Sequence, residues 1–198
     1  MLNVYLLRHG QTAWNADNNR YCGRTDIALT AKGIAQAEAV RQQLKDITFD
    51  GVYSSPLERA FMTANIASGA YVKKDERLIE ADFGTWEQKT KEEFIAEAPE
   101  HWHRWMEDPY AWRAGGTGES GREIVERVDA FFTDIHRKHP SGNILVAAHN
   151  GVNRLYLAYK LGMPLRNYRM LVQENASVTM FTLDADGAFT LQHLNAKF

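Results

Sequence analysis

The chain of 198 residues holds a single cysteine, Cys22, so no disulfide can close within it and the fold must rest on packing. That usage agrees with a reducing compartment. Long apolar runs are missing too: no stretch approaches the ~18 apolar residues that a membrane-spanning helix needs. The run Leu2 to Leu7 is too short for a secretory signal, and no basic segment precedes it. The expected location is cytoplasmic. An excess of one charge is also lacking. Lys and Arg number 23 against 25 Asp and Glu, for a formal net charge of −2. The bulk electrostatics therefore give no reason to expect nucleic acid or an anionic membrane as a partner. Any anion site must be built locally from placed Arg, His and backbone N–H groups. No internal repeat or low-complexity linker interrupts the chain.

What is present suits one sizeable core, expected as a single domain over residues 1–198 with a modest cap. Leu2 to Leu7 reads as a buried parallel strand that turns polar at Arg8-His9-Gly10. Ile34, Ala37, Val40, Leu44 and Ile47 have helical spacing after Thr30, a candidate N-cap. Gly51 to Ser55 is a second strand. Pro56 is expected at the first position of a helix striped by Leu57, Ala60, Phe61, Ala64 and Ala67. Tyr71 to Lys74 reads as an edge strand. Ile124, Val128, Phe131, Phe132 and Ile135 line a helix over 119–138, and 143–149 is a strand ending in His149. Val152 to Leu161 is a helix closed by Gly162 and Pro164. Val178–Leu183 and Phe189–Leu194 flank Asp184-Ala-Asp-Gly187 as a hairpin. Residues 82 to about 117 carry Trp86, Trp102, Trp105 and Trp112, expected to pack a helical cap onto the body.

Alternating strands and helices argue for a three-layer α/β/α sandwich with a mostly parallel central sheet. Ligands of such sheets bind beyond the carboxyl ends of the strands. His9 follows one strand and His149 ends another, so one sheet edge could deliver both to one site. An arginine beside His9 disfavours the charged ring and helps keep it nucleophilic, and its planar fork can grip a phosphoryl oxygen. The competing reading of Arg8-His9-Gly10 by itself is a histidine satisfied by local hydrogen bonds.

Leu7-Arg8-His9-Gly10-Gln11-Thr12-x-Trp14-Asn15 resembles the signature of the histidine phosphatase superfamily, which includes phosphoglycerate mutases. Four further blocks match in order. They are Asp26-x-x-Leu29-Thr30-x-x-Gly33-x-x-Gln36-Ala37, Tyr53-Ser54-Ser55-Pro56-Leu57-x-Arg59-Ala60, Leu78-x-Glu80-x-x-Phe83-Gly84-x-Trp86-Glu87 and Ala148-His149-Asn150-Gly151-Val152-x-Arg154. The resemblance covers about residues 2 to 195, and the coherent order of the blocks makes it specific. It implies a metal-independent phosphatase without cofactor, acting on small phosphate monoesters. His9 would become phosphohistidine. Arg8, Arg59 and His149 would clamp the phosphoryl oxygens, and Glu80 would serve as general acid and base, with Asp82 its rival. Asn15 would donate to phosphate, and Gln11, Gly23 and Asn150 would line the site.

Several alternatives stay open. Gln11, Gly23 and Asn15 could be loop or turn residues. Asn150 could contact substrate or cap the following helix. Cys22 is expected to be an incidental loop residue. Tyr21-Cys22-Gly23 departs from the family's usual Gln-Gly and puts the substrate in question. His101, His103, His136, His139 and His193 are expected at structural or surface positions, and no metal site is read among them. Two other functions compete: a phosphoglycerate mutase and an inactive phospho-ligand binding protein. The short cap, with Phe198 soon after the last strand, favours hydrolysis. The expected partner is a small phosphorylated metabolite, with a homodimer possible through an edge strand.

Overall fold

The structure, a computed structural model, describes residues 1–196; Lys197 and Phe198, part of the tail considered above, lie outside the described residues. The strands are β1 (Leu2–Arg8), β2 (Gly51–Ser54), β3 (Val72–Lys74), β4 (Gly142–Ala148), β5 (Val178–Leu183) and β6 (Phe189–Ala196). The helices are α1 (Ala13–Ala16), α2 (Ala31–Gln43), α3 (Glu58–Ser68), α4 (Lys91–Glu97), α5 (Pro99–Glu107), α6 (Gly121–Lys138) and α7 (Asn150–Lys160). The strands form one sheet in the order β3-β2-β4-β1-β5-β6. The pairings β1–β4, β2–β4 and β2–β3 are parallel, and those of β5 with β1 and β6 are antiparallel. The β5–β6 hairpin and the short edge strand β3 agree with the sequence reading.

Side chains alternate across a strand, so β1 feeds two cores. Leu2, Val4 and Leu6 join Ile144, Val146, Phe131, Phe132, Tyr156 and Phe181 on the face covered by α6 and α7. Tyr5 and Leu7 join Leu145, Ala147, Val40 and Ala64 on the face covered by α2 and α3. That gives the three layers. Full burial of side chains of this size stabilises the fold by about 1.5–3 kcal/mol each.

Helix starts show where local signals suffice. Thr30 caps α2 by accepting from the Gly33 N–H, as expected, and Ser120 caps α6 with Glu123 in a capping box. Two boundaries differ from expectation. Pro56 lies ahead of its helix: Leu57 is extended (ψ 135°) and is itself the N-cap, so α3 begins at Glu58. Helix α7 begins at Asn150, ahead of the expected Val152, because the Glu80 carboxylate accepts the Gly151 and Val152 N–H groups at 3.0 Å each. A cap brought from 70 residues away leaves no local signal.

The region 82–117 does form a helical cap, built from α4, α5 and short 3-10 turns. Trp86 and Trp105 are 1 % exposed, and Trp86 stacks on Phe94 at 4.7 Å. Trp102 is half-buried against them. Trp112 departs from the packing expectation: it is 43 % exposed and lies under the Arg104 guanidinium at 4.8 Å. Among the described residues no helix is long and apolar enough to cross a membrane.

Candidate active site

The register of β1 against β4 pairs Arg8 with Ala148. Two parallel strands therefore leave the sheet at the same level, and the next residue on each is a histidine. The His9 N–H donates to the Ala148 carbonyl at 3.0 Å, and the His9 and His149 ring centroids are 5.2 Å apart. Both rings are buried, His9 at 4 % exposure and His149 at 0 %.

His9 Nδ1 lies 2.7 Å from the Gly10 carbonyl. A carbonyl can only accept, so Nδ1 carries the hydrogen and Nε2 keeps its lone pair. Burial, then Arg59 and Arg8, hold His9 well below the usual histidine range, with the Gly10 carbonyl opposing them. Burial, Arg59 and His9 do the same to His149. Both rings are neutral at pH 7. The two ring nitrogens of His149 have no hydrogen-bond partner among the described residues. The glycine after His9 serves packing: a Cβ on Gly10 would lie 2.5 Å from the Gly33 carbonyl oxygen at the start of α2. The Gly10 N–H donates to Thr63 Oγ1 at 3.0 Å, which ties the loop to α3.

Arg59 is fully buried and Arg8 is 8 % exposed. Arg8 Nη1 donates to the Gln173 carbonyl at 2.7 Å. Arg59 donates to the Thr25 and Gly23 carbonyls at 2.9 and 2.8 Å. Carbonyls orient a guanidinium without neutralising it, and among the described residues no carboxylate lies within ion-pair distance of either. Burial lowers the pKa of Arg8 to about 10, with Glu80 opposing it, and burial also lowers that of Arg59. Both remain cations at neutral pH. Buried charge without a counter-charge costs several kcal/mol, and an anionic ligand would relieve that cost.

Arg8, His9, Asn15, Arg59, Glu80 and Asn150 line one cavity of about 110 Å³, while His149, fully buried with its ring centroid 5.2 Å from that of His9, does not line it. Drug-sized sites run to ~300–1,000 Å³, so the occupant is small. Glu80 Oε1 accepts from the Ala81 and Val152 N–H groups and Oε2 from Gly151 alone. Each carboxylate oxygen accepts about two hydrogen bonds, so Oε2 keeps an open position. The rival acid, Asp82, turns away: its Oδ1 accepts the Gly84 N–H, and it does not line the cavity.

Two expected contacts, Gln11 and Gly23, are absent from the cavity lining, and one residue not expected there is present. Gln11 does not line this cavity; its amide oxygen accepts from Thr30 Oγ1 at the start of α2, where its backbone also pairs. Gly23 does not line it either, and acts through its carbonyl on Arg59. Cys22, expected to be incidental, does line it, buried, with its thiol held above its usual range by burial against the opposing pull of Arg59. Asn15 caps α1 by accepting the Thr12 N–H, and it also lines the cavity. Asn150 is not a cap. It is the first residue of α7, and its Oδ1 is buried without a partner among the described residues. Among the same residues no group of three or more His, Cys, Asp or Glu is placed to hold a metal ion.

Other lining residues escaped the sequence reading. Arg154 sits four residues after Asn150 on α7 and shares its face, which helical spacing could have shown. Tyr168 and Arg169 come from the 3-10 segment Leu165–Met170, where no pattern marks them. Asn175, ahead of β5, donates to the His9 carbonyl and to Asn15 Oδ1, both at 3.1 Å.

An α/β fold that gathers this much un-neutralised cationic charge around a neutral, oriented histidine belongs among the enzymes that act on phosphate esters. Comparison with known proteins makes that specific. The model of the histidine phosphatase superfamily (branch 1) matches residues 4–197. Phosphoserine phosphatase 1 of Hydrogenobacter thermophilus is 32% identical over 187 residues, 93% of this chain and 88% of that protein. A probable 2-carboxy-D-arabinitol-1-phosphatase of Arabidopsis thaliana is 36% identical over 190 residues, 93% of this chain and 39% of that protein. A phosphoserine phosphatase mutant from Entamoeba histolytica, solved in complex with phosphoserine, superposes with a TM-score of 0.90 at 30% identity, covering 100% of this chain and 98% of that one. The chain belongs to the histidine phosphatase superfamily.

Proposed function

We propose that the chain, acting as one domain, hydrolyses a small phosphate monoester in two displacements through a phosphohistidine on His9. The observation that carries this reading is the His9 ring: buried, neutral, with Nδ1–H on the Gly10 carbonyl and Nε2 open beside Arg8 and Arg59. In the first step the Nε2 lone pair attacks phosphorus, a P–N bond forms and the ester P–O bond breaks. Protonated Glu80 gives its proton, from Oε2, to the departing alkoxide. In the second step water attacks phosphorus, Glu80 takes a proton from it, the P–N bond breaks and its electron pair returns to Nε2. Glu80 is then protonated again and His9 is free, so the cycle closes. Arg8, Arg59 and His149 supply donors to the phosphoryl oxygens, whose negative charge must be held in both transition states. Splitting one displacement into two lowers each barrier.

The test is phosphate release from a panel of small monoesters with EDTA present, beside a His9→Ala variant. Release that survives EDTA and is lost in the variant supports the mechanism. Turnover that persists without His9 overturns it. Exchange of phosphate between phosphoglycerates in place of release would indicate a mutase, and tight binding without turnover a phospho-ligand binding protein.

A further inference from the structure

Attack by His9 needs its one ring hydrogen on the correct nitrogen, and a chain of hydrogen bonds from α3 sets where that hydrogen lies. The peptide that joins His9 to Gly10 is bonded at both of its polar groups. Its carbonyl, that of His9, accepts from Asn175 Nδ2 at 3.1 Å and from the Ala176 N–H at 3.2 Å. Either donor could hold it without the other. Its N–H, that of Gly10, donates to Thr63 Oγ1 at 3.0 Å, and among the described residues it has no second acceptor.

Thr63 is fully buried and lies one turn after Arg59 on α3. Its Oγ1 is 2.6 Å from the Arg59 carbonyl. A carbonyl can only accept, so the hydroxyl hydrogen points there and the hydroxyl lone pairs are left for the Gly10 N–H. Serine and threonine in helices can bond the carbonyl four residues back, as Ser68 does to Ala64 at 2.7 Å. That bond alone would make Thr63 a side chain satisfied within its own helix. The Gly10 N–H is what carries its influence out of the helix. The next link runs one way too. The Gly10 carbonyl accepts the His9 Nδ1 hydrogen at 2.7 Å, and the His9 ring has no other hydrogen-bond partner among the described residues.

We propose that Thr63 is a positioning residue for the nucleophile: its hydroxyl, aimed by the Arg59 carbonyl, holds Gly10 so that His9 keeps its hydrogen on Nδ1 and its lone pair on Nε2. This rests on the phosphatase reading of His9. Valine has nearly the same shape without the hydroxyl, and it would leave the Gly10 N–H buried with no acceptor, a costly state. The peptide then rotates to find another acceptor, the Gly10 carbonyl leaves Nδ1, and the ring is free to carry its hydrogen on Nε2, where it blocks attack on phosphorus.

The experiment compares native, Thr63→Val and Thr63→Ser proteins by two readouts, with a thermal melt to verify folding. Thr63→Ala, which also lacks the hydroxyl, replaces Thr63→Val if that protein does not fold. The first readout is the His9 tautomer, from the ring-nitrogen shifts of isotope-labelled protein by NMR, the His9 signal being identified by its loss in a His9→Ala protein. The native ring should carry its hydrogen on Nδ1. Thr63→Val should add a population with the hydrogen on Nε2, and Thr63→Ser should restore the native signal. The second readout is turnover of p-nitrophenyl phosphate. Thr63→Val should lose about ten- to a hundredfold in kcat, the scale of a misplaced reacting group. Its KM should stay within about twofold of native, because what is lost acts in the transition state. Thr63→Ser should recover most of the rate. A native ring with its hydrogen on Nε2, a folded Thr63→Val protein with native tautomer and kcat, a loss confined to KM, or a Thr63→Ser protein as impaired as Thr63→Val would each overturn the proposal. If the native protein releases no phosphate, the phosphatase reading fails, and the tautomers of the three proteins still decide the role of Thr63.

Discussion

A methyl group on Gly151 is a sharp probe of Glu80. A Cβ built there lies 2.7 Å from Glu80 Oε1 and 3.1 Å from Phe83 Cζ. Ordinary contact begins at 3.4 Å, so the carboxylate in a Gly151→Ala protein must give way by roughly 0.7 Å. Glu80 cannot swing aside at no cost, because three backbone N–H groups hold it. Misplacing a reacting group by ~1 Å costs about 10²-fold in rate, so a loss of roughly 30- to 100-fold in kcat is expected. The stability change is small. Alanine in a helix gains about 1 kcal/mol over glycine, and weakening one or two bonds to Glu80 loses a similar amount. The assay is kcat on an alkyl phosphate and on p-nitrophenyl phosphate, with a thermal melt to verify folding. The alkyl ester needs a proton on its leaving oxygen far more than the nitrophenyl ester does, so its rate should fall further. An unchanged kcat, or an equal loss on both esters in a folded protein, would refute the assignment of Glu80 as the proton donor.

Acid should unfold the protein by way of its buried histidines. His9 and His149 are held well below the usual histidine range by burial and neighbouring arginines. Below pH ~6.5 the unfolded chain takes up protons that the native rings refuse. Stability is thus full above that pH and falls below it, by about 1.36 kcal/mol per pH unit for each ring until its native pKa is reached. Urea titrations at pH 7.5 and 5.5 on the native protein and a His149→Asn variant should show a shallower loss in the variant; parallel losses would count against the argument. In the cap, Trp105→Ala should cost about 3–5 kcal/mol because that ring is 1 % exposed. Trp112→Ala should stay within about 0.5 kcal/mol, and urea midpoints of the two variants check the contrast.

Much was legible from local pattern. The continuously apolar strand before Arg8, the stripe on α6 and the cap Thr30 follow from short-range rules: side-chain period, φ/ψ preference and hydrogen bonds spanning three residues. The ordered blocks around His9, Arg59, Glu80 and His149 pointed to the family; His9, Arg59 and Glu80 line one cavity, and the His149 ring lies 5.2 Å from that of His9. By itself the sequence determined the fold class, the chemistry-bearing residues and the absence of any disulfide within the chain.

Only the tertiary structure decided how those residues act on one another. The parallel register that sets His9 beside His149 is a contact between positions 140 apart. Glu80 caps a helix that begins at Asn150, Asn175 grips the His9 carbonyl, and Gln11 turns away toward Thr30. Arg169 reaches the wall from a segment with no pattern of its own. Such couplings depend on which backbone groups and charges arrive at the same place once the cores have packed. A one-dimensional pattern carries the propensity of each segment, and it does not carry the distance between two of them.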